Sequence, residues 1–316
     1  MTIPTLPLVV GDDGSMGSRR ALEFTLDLAE RLAAPVVVVR SWGIDPHTPA
    51  VAQILGYATS AADFSGQVLG ELIRDTRETV NEHPGVDVEY RSGEESPAEL
   101  LCEASIGSRM LVVGSRGLGG IAGLLLGSVS NTCLHESTRP VLVVHESHAR
   151  TRPTPDEEDP AHPGEIAIPR VTPGAIVVGH DGSPHADRAL TEALGLAQEL
   201  GVPVSVIRTW SIDSAPRGAL WKDGSVSSHL EVSEAVRQEL TAEIEPFTNA
   251  HPTVDVDCFG VLGQPAKVLT RASRDALMLV IGSRGLGGFS GLLLGSVSMQ
   301  CAHRATCPTL VVPHRG

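Results

Sequence analysis

The stretch GSRGLGGIAGLLLGSVS at residues 114–130 occurs a second time at residues 282–298, as GSRGLGGFSGLLLGSVS. The two copies differ at two of their seventeen positions and lie 168 residues apart. The same offset aligns Trp42 with Trp210. The chain is therefore a tandem duplication, and its 316 residues are enough for two domains that each bury their own core.

The segment between the two halves marks the domain boundary. Residues 146–173 read ESHARTRPTPDEEDPAHPGEIAIPRVTP, which is rich in proline and acidic residues and shows no sustained helix or strand period. The sequence therefore predicts a first domain over 1–145, a linker over 146–173 and a second domain over 174–316.

Apolar runs alternate with helical periods within each half. In the first half, runs typical of buried strands lie at 6–11, 36–40, 86–90, 110–114 and 141–145, and helices are expected after the first strand, over 63–82, from Pro97 and from Ser128. Apolar strands separated by amphipathic helices indicate a parallel sheet that is covered on both faces. Each half is predicted to be a doubly wound α/β domain.

Composition restricts the classes of partner. The net charge of −14, with no evident basic patch, argues against nucleic acid or an anionic membrane. The apolar runs are too short to span a bilayer and the N-terminus resembles no cleavable leader, so a soluble cytoplasmic protein is expected. The five cysteines form no C-x-x-C pair and the twelve histidines are scattered, so neither a disulfide framework nor a dedicated metal site is predicted.

The glycine-rich stretch has the residues of a phosphate-binding loop. In a doubly wound sheet, ligands bind beyond the carboxyl ends of the strands, where the strand order reverses. Gly114 and Gly117 follow the fourth strand, where glycine allows positive φ and close approach to an anion. Gly127-Ser128 opens a helix whose free N–H groups favour phosphate, with Ser130 as a further donor. A plain glycine-serine turn is the alternative, which the repetition at identical spacing disfavours.

Both halves resemble the ATP-binding branch of the universal stress protein family in its tandem form. The family's nucleotide motif, G-x2-G-x9-G-[S/T], fits both copies of the glycine-rich stretch. The DGS at 13–15 and 181–183 resembles its first-strand signature, and the G-x-P-A at 263–266 resembles its third-strand turn. The resemblance covers nearly all of both halves. It implies Rossmann-like sheets of the adenine nucleotide alpha hydrolase type, with strand order 3-2-1-4-5 and ATP across strands one and four.

The resemblance also implies a set of binding residues for each half. The aspartate of DGS and the main chain at the end of the second strand are expected at the adenosine, and the glycine-rich stretch at the phosphates. The implied residues are Asp13, Ser41, Gly114, Arg116, Gly117, Gly127, Ser128, Val129 and Ser130 in the first half, and Asp181, Thr209, Gly282, Arg284, Gly285, Gly295, Ser296, Val297 and Ser298 in the second. One ATP with Mg²⁺ is expected in each domain, without catalytic residues.

Three classes of function remain open. A nucleotide-dependent stress-response or signalling module is favoured over a slow ATPase or nucleotidyl transferase, because neither Lys222 nor Lys267 lies near a phosphate loop and no base is evident. A dinucleotide oxidoreductase is suggested only by G-x-G-x-x-A at 117–122. That fingerprint belongs after the first strand of its unit, whereas this copy follows the fourth.

Two expectations concern the relation between the halves. The family pairs domains through their last strands, so the apolar runs VLVV and TLVV are expected to form an intramolecular pair, and the whole chain could form a homodimer. The second site is expected to bind ATP more tightly than the first. The reason is that Asp12 and Glu95 add carboxylates near the first site, where the second half has His180 and Gly263.

Overall fold

The structure is a computed structural model and describes residues 5–42, 61–117, 126–145, 168–216, 218–222, 225–287 and 293–314. Described residues up to His145 form one compact unit, and those from Ile168 to His314 form another. Most of the predicted linker, and residues 118–125 and 288–292 of the glycine-rich stretches, lie outside the described residues. Within the described ranges, no helix is long and apolar enough to cross a membrane.

The first unit alternates strands with helices. In chain order its elements are β1 (Leu8–Gly11), α1 (Met16–Leu32), β2 (Val36–Ser41), α2 (Ala61–Asn81), β3 (Val88–Gly93), α3 (Pro97–Ala104), β4 (Met110–Gly114), α4 (Ser128–Glu136) and β5 (Val141–Val144). The strands pair in parallel in the order β3-β2-β1-β4-β5. The strand order therefore reverses between β1 and β4, which are neighbours in the sheet.

The second unit repeats this topology. Its elements are β6 (Ile176–Gly179), α5 (Pro184–Leu200), β7 (Val204–Trp210), β8 (Trp221–Lys222), β9 (Ser225–Val226), α6 (His229–Ala250), β10 (Val256–Leu262), α7 (Pro265–Ala272), β11 (Met278–Gly282), α8 (Ser296–Arg304) and β12 (Thr309–Val312). The parallel order is β10-β7-β6-β11-β12. The doubly wound α/β class is confirmed, while the short antiparallel β8–β9 pair was not predicted.

Local sequence explains where the first helix of each unit begins. At α1, Ser15 Oγ accepts a hydrogen bond from Ser18 N at 3.1 Å, and at α5 Ser183 Oγ accepts from Ala186 N at 3.2 Å. One face of α1 is apolar at helical spacing and completely or almost completely buried, as Ala21, Leu22, Leu26 and Ala29 show. Burial of this face holds the helix on the sheet, so that the α1 N-terminus stays at the carboxyl end of β1.

The third strand differs from its prediction. The apolar pattern places it at 86–90, whereas β3 pairs with β2 from Val88, opposite Val36, to Gly93, opposite Ser41. Its side chains are only partly buried or exposed, and it ends the strand order of its unit. The pairing with β2 sets the ends of this strand, and an apolar pattern carries no information about that pairing.

Candidate functional site

A cavity of about 390 Å³ lies in the first unit at the carboxyl ends of β1 and β4, where the strand order reverses. This volume is within the usual range of small-molecule sites. Its lining includes all nine residues predicted for the first half: Asp13, Ser41, Gly114, Arg116, Gly117, Gly127, Ser128, Val129 and Ser130. Sequence reasoning missed other lining residues, among them Ser18, Val39, Pro97, Leu101 and Leu126. The topology therefore gathers the predicted residues around one space.

A carboxylate lies directly against the glycine-rich loop in both halves. A Cβ atom built on Gly117 would lie less than 3.0 Å from Asp13 Oδ2, and one built on Gly285 would lie equally close to Asp181 Oδ2. Real Cβ atoms do not come this close to other heavy atoms. Glycine is therefore required at these positions because the aspartate of the DGS motif occupies the space of a side chain.

Hydrogen bonds fix this aspartate in place. Leu286 N, from the glycine-rich loop, donates to Asp181 Oδ2 at 2.8 Å, and Ser183 N donates to Asp181 Oδ1 at 3.1 Å. In the first half, Ser15 N donates to Asp13 Oδ1 at 3.0 Å. The carboxylate of Asp181 thus connects the turn after β6 to the loop after β11.

The positive φ predicted for Gly114 and Gly117 is wrong. Among the described glycines, left-handed backbone near the two sites occurs instead in the DGS motifs, at Gly14 (φ +79°) and Gly182 (φ +83°). Gly114 instead allows the backbone of Gly17 to pack closely against the strand end, since a Cβ on Gly114 would lie 2.8 Å from the Gly17 carbonyl. The N-terminus of α1 therefore packs directly on the end of β4.

The helices that follow the glycine-rich stretches begin without a side-chain cap. The N-cap residues of α4 and α8 are Gly127 and Gly295, which offer no side-chain acceptor. The first N–H groups of any helix have no intrahelical partner, and those of α4 belong to residues that line the cavity. These N–H groups and the positive end of the helix dipole are suited to an anion.

The third residue of these helices has a different role from the one predicted. Ser130 Oγ donates to the Gly114 carbonyl at 2.6 Å, and Ser298 Oγ donates to the Gly282 carbonyl at 2.7 Å. Both serines are buried. A hydroxyl has one proton, so in this arrangement neither serine donates to a ligand. They tie the helix to the strand end, whereas Ser128 at the start of α4 is exposed.

Substitution of Ser130 by alanine is expected to reduce the free energy of unfolding of the first unit by about 1–2 kcal/mol, because the Gly114 carbonyl loses a buried donor. Ser128→Ala is the matched control and is expected to stay within about 0.5 kcal/mol of the native chain. Native-state hydrogen exchange measures this, since it reports on the two units separately. An unchanged stability for Ser130→Ala would show that the bond contributes nothing.

A half-buried arginine pairs with the first turn. Arg40 pairs with Asp12, whose side chain is 5% exposed, and with Asp75 at 2.9 Å. Burial disfavours the charged guanidinium, but the hydrogen bonds to Asp12 and Asp75 outweigh this and raise the pKa of Arg40. The charge of Asp12 is therefore compensated. Glu95, the other carboxylate expected to weaken the first site, is exposed to solvent.

The predicted residues of the second unit adopt a similar arrangement. Gly295 N donates to the Ser283 carbonyl at 2.7 Å, which matches the bond from Gly127 N to the Ser115 carbonyl in the first unit. The remaining predicted residues lie on the same edge of the sheet: Arg284 and Gly285 follow β11, Ser296, Val297 and Ser298 open α8, and Thr209 lies near the end of β7. One described atom of this set, the buried Nε of Arg284, has no hydrogen-bond partner among the described residues.

Comparison with known proteins identifies the family. The model of the universal stress protein family matches residues 6–145 and again residues 174–313. A universal stress protein of Mycolicibacterium smegmatis is 31% identical over 98% of this chain and 97% of its own length. One of Mycobacterium tuberculosis is 29% identical over 96% of both chains. The crystal structure of a universal stress protein from Archaeoglobus fulgidus has the same fold, with a TM-score of 0.60 and 22% identity over 98% of both chains. The chain therefore belongs to the universal stress protein family and carries two of its domains in tandem.

Proposed function

We propose that the chain is a cytoplasmic stress-response or signalling module that binds one ATP, with Mg²⁺, in each domain and changes its interactions with nucleotide occupancy. The observation that carries this proposal is the cavity between β1 and β4 of the first unit, where a glycine-rich loop and an uncapped helix meet. A triphosphate is an anion of the kind that such a helix start favours.

The lining of the cavity suits the two ends of a nucleotide. Val39 and Leu101 offer apolar surface to the faces of an adenine base, and Asp13 offers a carboxylate to ribose hydroxyls. Gly117 and Ser128 lie at the loop and at the helix start, where we place the phosphates. A ligand with both an apolar ring and a polyanionic chain would use the whole cavity.

The cavity favours binding over catalysis. Phosphoryl transfer needs concentrated positive charge and a positioned water or base. Among the described residues, those that line the cavity include Arg116 but neither lysine nor histidine. Lys267 lies exposed on α7 of the other unit. A slow ATPase remains the alternative function, and no contact in the described residues favours it over the binding module.

Protein purified without added nucleotide is expected to release up to two ATP molecules per chain on denaturation, which mass spectrometry and chromatography quantify. Added Mg-ATP should bind to emptied protein with turnover below about 1 per second, the low end of typical enzyme rates. NAD⁺ serves as the control ligand for the oxidoreductase class and should not compete. Absence of bound ATP together with no calorimetric signal for added Mg-ATP would overturn the proposal. Faster turnover would show that the protein is an enzyme and not a binding module.

A further inference from the structure

At the position that Asp12 holds in the first unit, the second unit has His180, whose side chain is fully buried. His180 Nδ1 lies 2.8 Å from Arg208 Nη2 and 3.3 Å from Gly182 N, while His180 Nε2 lies 3.1 Å from Asp187 Oδ1. Guanidinium and backbone N–H groups can only donate, so Nδ1 accepts and the proton lies on Nε2, which donates to Asp187. The arrangement therefore requires a neutral imidazole.

The two bonds to Nδ1 support the turn that carries Asp181. Gly182 follows Asp181 and has a left-handed backbone, with φ +83°. In the first unit Asp12 Oδ1 accepts the equivalent bond from Gly14 N, at 3.1 Å, and also pairs with Arg40. A carboxylate and a neutral imidazole thus hold the same turn in the two halves, but only the imidazole gains a donor proton in mild acid.

Charged groups face His180 from three elements. Arg208 on β7 contacts Nδ1 and pairs with Glu243 of α6 at 2.7 Å, Asp187 of α5 contacts Nε2, and Asp181 follows in the chain. Burial and the charge of Arg208 lower the pKa of His180, and they outweigh the opposing effects of Asp187 and Glu243. The imidazole is therefore neutral at neutral pH and gains its charge only below its ordinary pKa of about 6.5.

We propose that His180 is a positioning residue that holds the β6–α5 turn only while its imidazole is neutral, so that nucleotide binding weakens in mild acid at the second site and not at the first. This rests on the proposed nucleotide-binding function. The balance of energies supports the direction of the effect. The attraction of a new charge for an anion is weakened by solvent and salt, whereas protonation removes the acceptor of two hydrogen bonds that hold the turn.

The first experiment measures each site alone. Gly117→Ala is expected to close the first site and Gly285→Ala the second, so each variant leaves one site for calorimetry with Mg-ATP at pH 7.5 and 5.5. Protonation of ATP itself affects both variants alike. The dissociation constant of the second site should rise about three-fold more than that of the first. An equal change at the two sites, or a smaller one at the second, would overturn the inference.

The second experiment observes the imidazole directly. In the full native chain, NMR titration of the His180 ring should give a lower midpoint with Mg-ATP bound than without it, because binding and protonation oppose each other. His180→Asp, which copies the first unit, should remove the extra pH dependence of the second site. An unchanged or raised midpoint would contradict the inference, even if His180→Asp fails to fold. If the native chain does not bind Mg-ATP at pH 7.5, the proposed function is wrong, and this inference with it.

Discussion

Replacement of Gly285 by alanine is expected to weaken Mg-ATP binding at the second site by about 100-fold. The new Cβ would lie less than 3.0 Å from Asp181 Oδ2, the atom that accepts the hydrogen bond from Leu286 N. Either the carboxylate or the loop must move, and both belong to the proposed site. Loss of a hydrogen bond to a charged group costs about 1.5–3 kcal/mol, and a change of about 2.7 kcal/mol corresponds to 100-fold. Gly117→Ala should have the same effect at the first site, through Asp13.

The second loop offers a matched control for this prediction. Gly287 lies two residues further along and is exposed, and a Cβ on it would meet no atom of the described residues within 4 Å. Gly287→Ala should therefore change the affinity by less than about two-fold. Calorimetry gives the affinity and stoichiometry, and circular dichroism tests whether each variant keeps its fold. Equal effects of Gly285→Ala and Gly287→Ala would show that general loop stiffness, and not the contact with Asp181, decides binding.

Much of the fold and of the cavity lining follows from the order of residues along the chain. Buried strands alternate with amphipathic helices, and this alternation leaves few topologies that bury both faces of a sheet. Asp13 and Gly117 each follow a strand that the apolar pattern identifies. Since parallel strands end on the same edge of the sheet, residues at those positions must approach one another, and the structure places both in the lining of one cavity.

The contacts between elements could not be predicted, because each depends on how closely the two elements pack. Gly260 on β10 illustrates this, since a Cβ there would meet the Ser233 carbonyl of α6 at less than 3.0 Å. At the aligned position of the first unit, Ser92 has room for its side chain and donates to the Ser65 carbonyl at 3.1 Å. The two helices therefore approach their strands to different depths. No periodicity in the sequence reports that depth, which side-chain packing determines.

The same limit applies to the roles of polar residues. The sequence indicates that Ser130 is a donor near the phosphates, but in the structure its hydroxyl donates a hydrogen bond to the Gly114 carbonyl. It also suggests that Asp12 repels an anionic ligand, but Arg40, twenty-eight positions further along the chain, pairs with it. Nearby groups compete for each proton and each charge, and the competing partners come from different strands and helices. Residue type and spacing therefore predict which residues form the site better than they predict what each one does.

Substitution of Asp181 is expected to have the second largest effect on the affinity for Mg-ATP. Two variants separate the roles of its carboxylate. Asp181→Ala removes both the proposed ribose contact and the acceptor for Ser183 N and Leu286 N, so binding at the second site should weaken by about 50-fold. Asp181→Asn keeps one carbonyl oxygen but turns an amide donor toward one of the two N–H groups. It should retain one of these bonds and weaken binding by about 10-fold.

The first site in the same chain is the internal standard for this series. The Asp181 variants should leave the first site at native affinity, and Asp13→Ala should leave the second site at native affinity. Titration calorimetry detects the loss of one site as a fall in stoichiometry, at ligand concentrations that saturate the intact site. The decisive result is a graded affinity of the second site for Mg-ATP, which should be lowest with alanine at position 181, higher with asparagine and highest with aspartate. If the carboxylate served only to contact ribose, the connection between the two loops would be irrelevant and asparagine, which still accepts a hydrogen bond, would bind almost as well as aspartate. If it served neither role, both variants would keep two sites of native affinity, and the placement of ATP across the ends of β6 and β11 would be wrong.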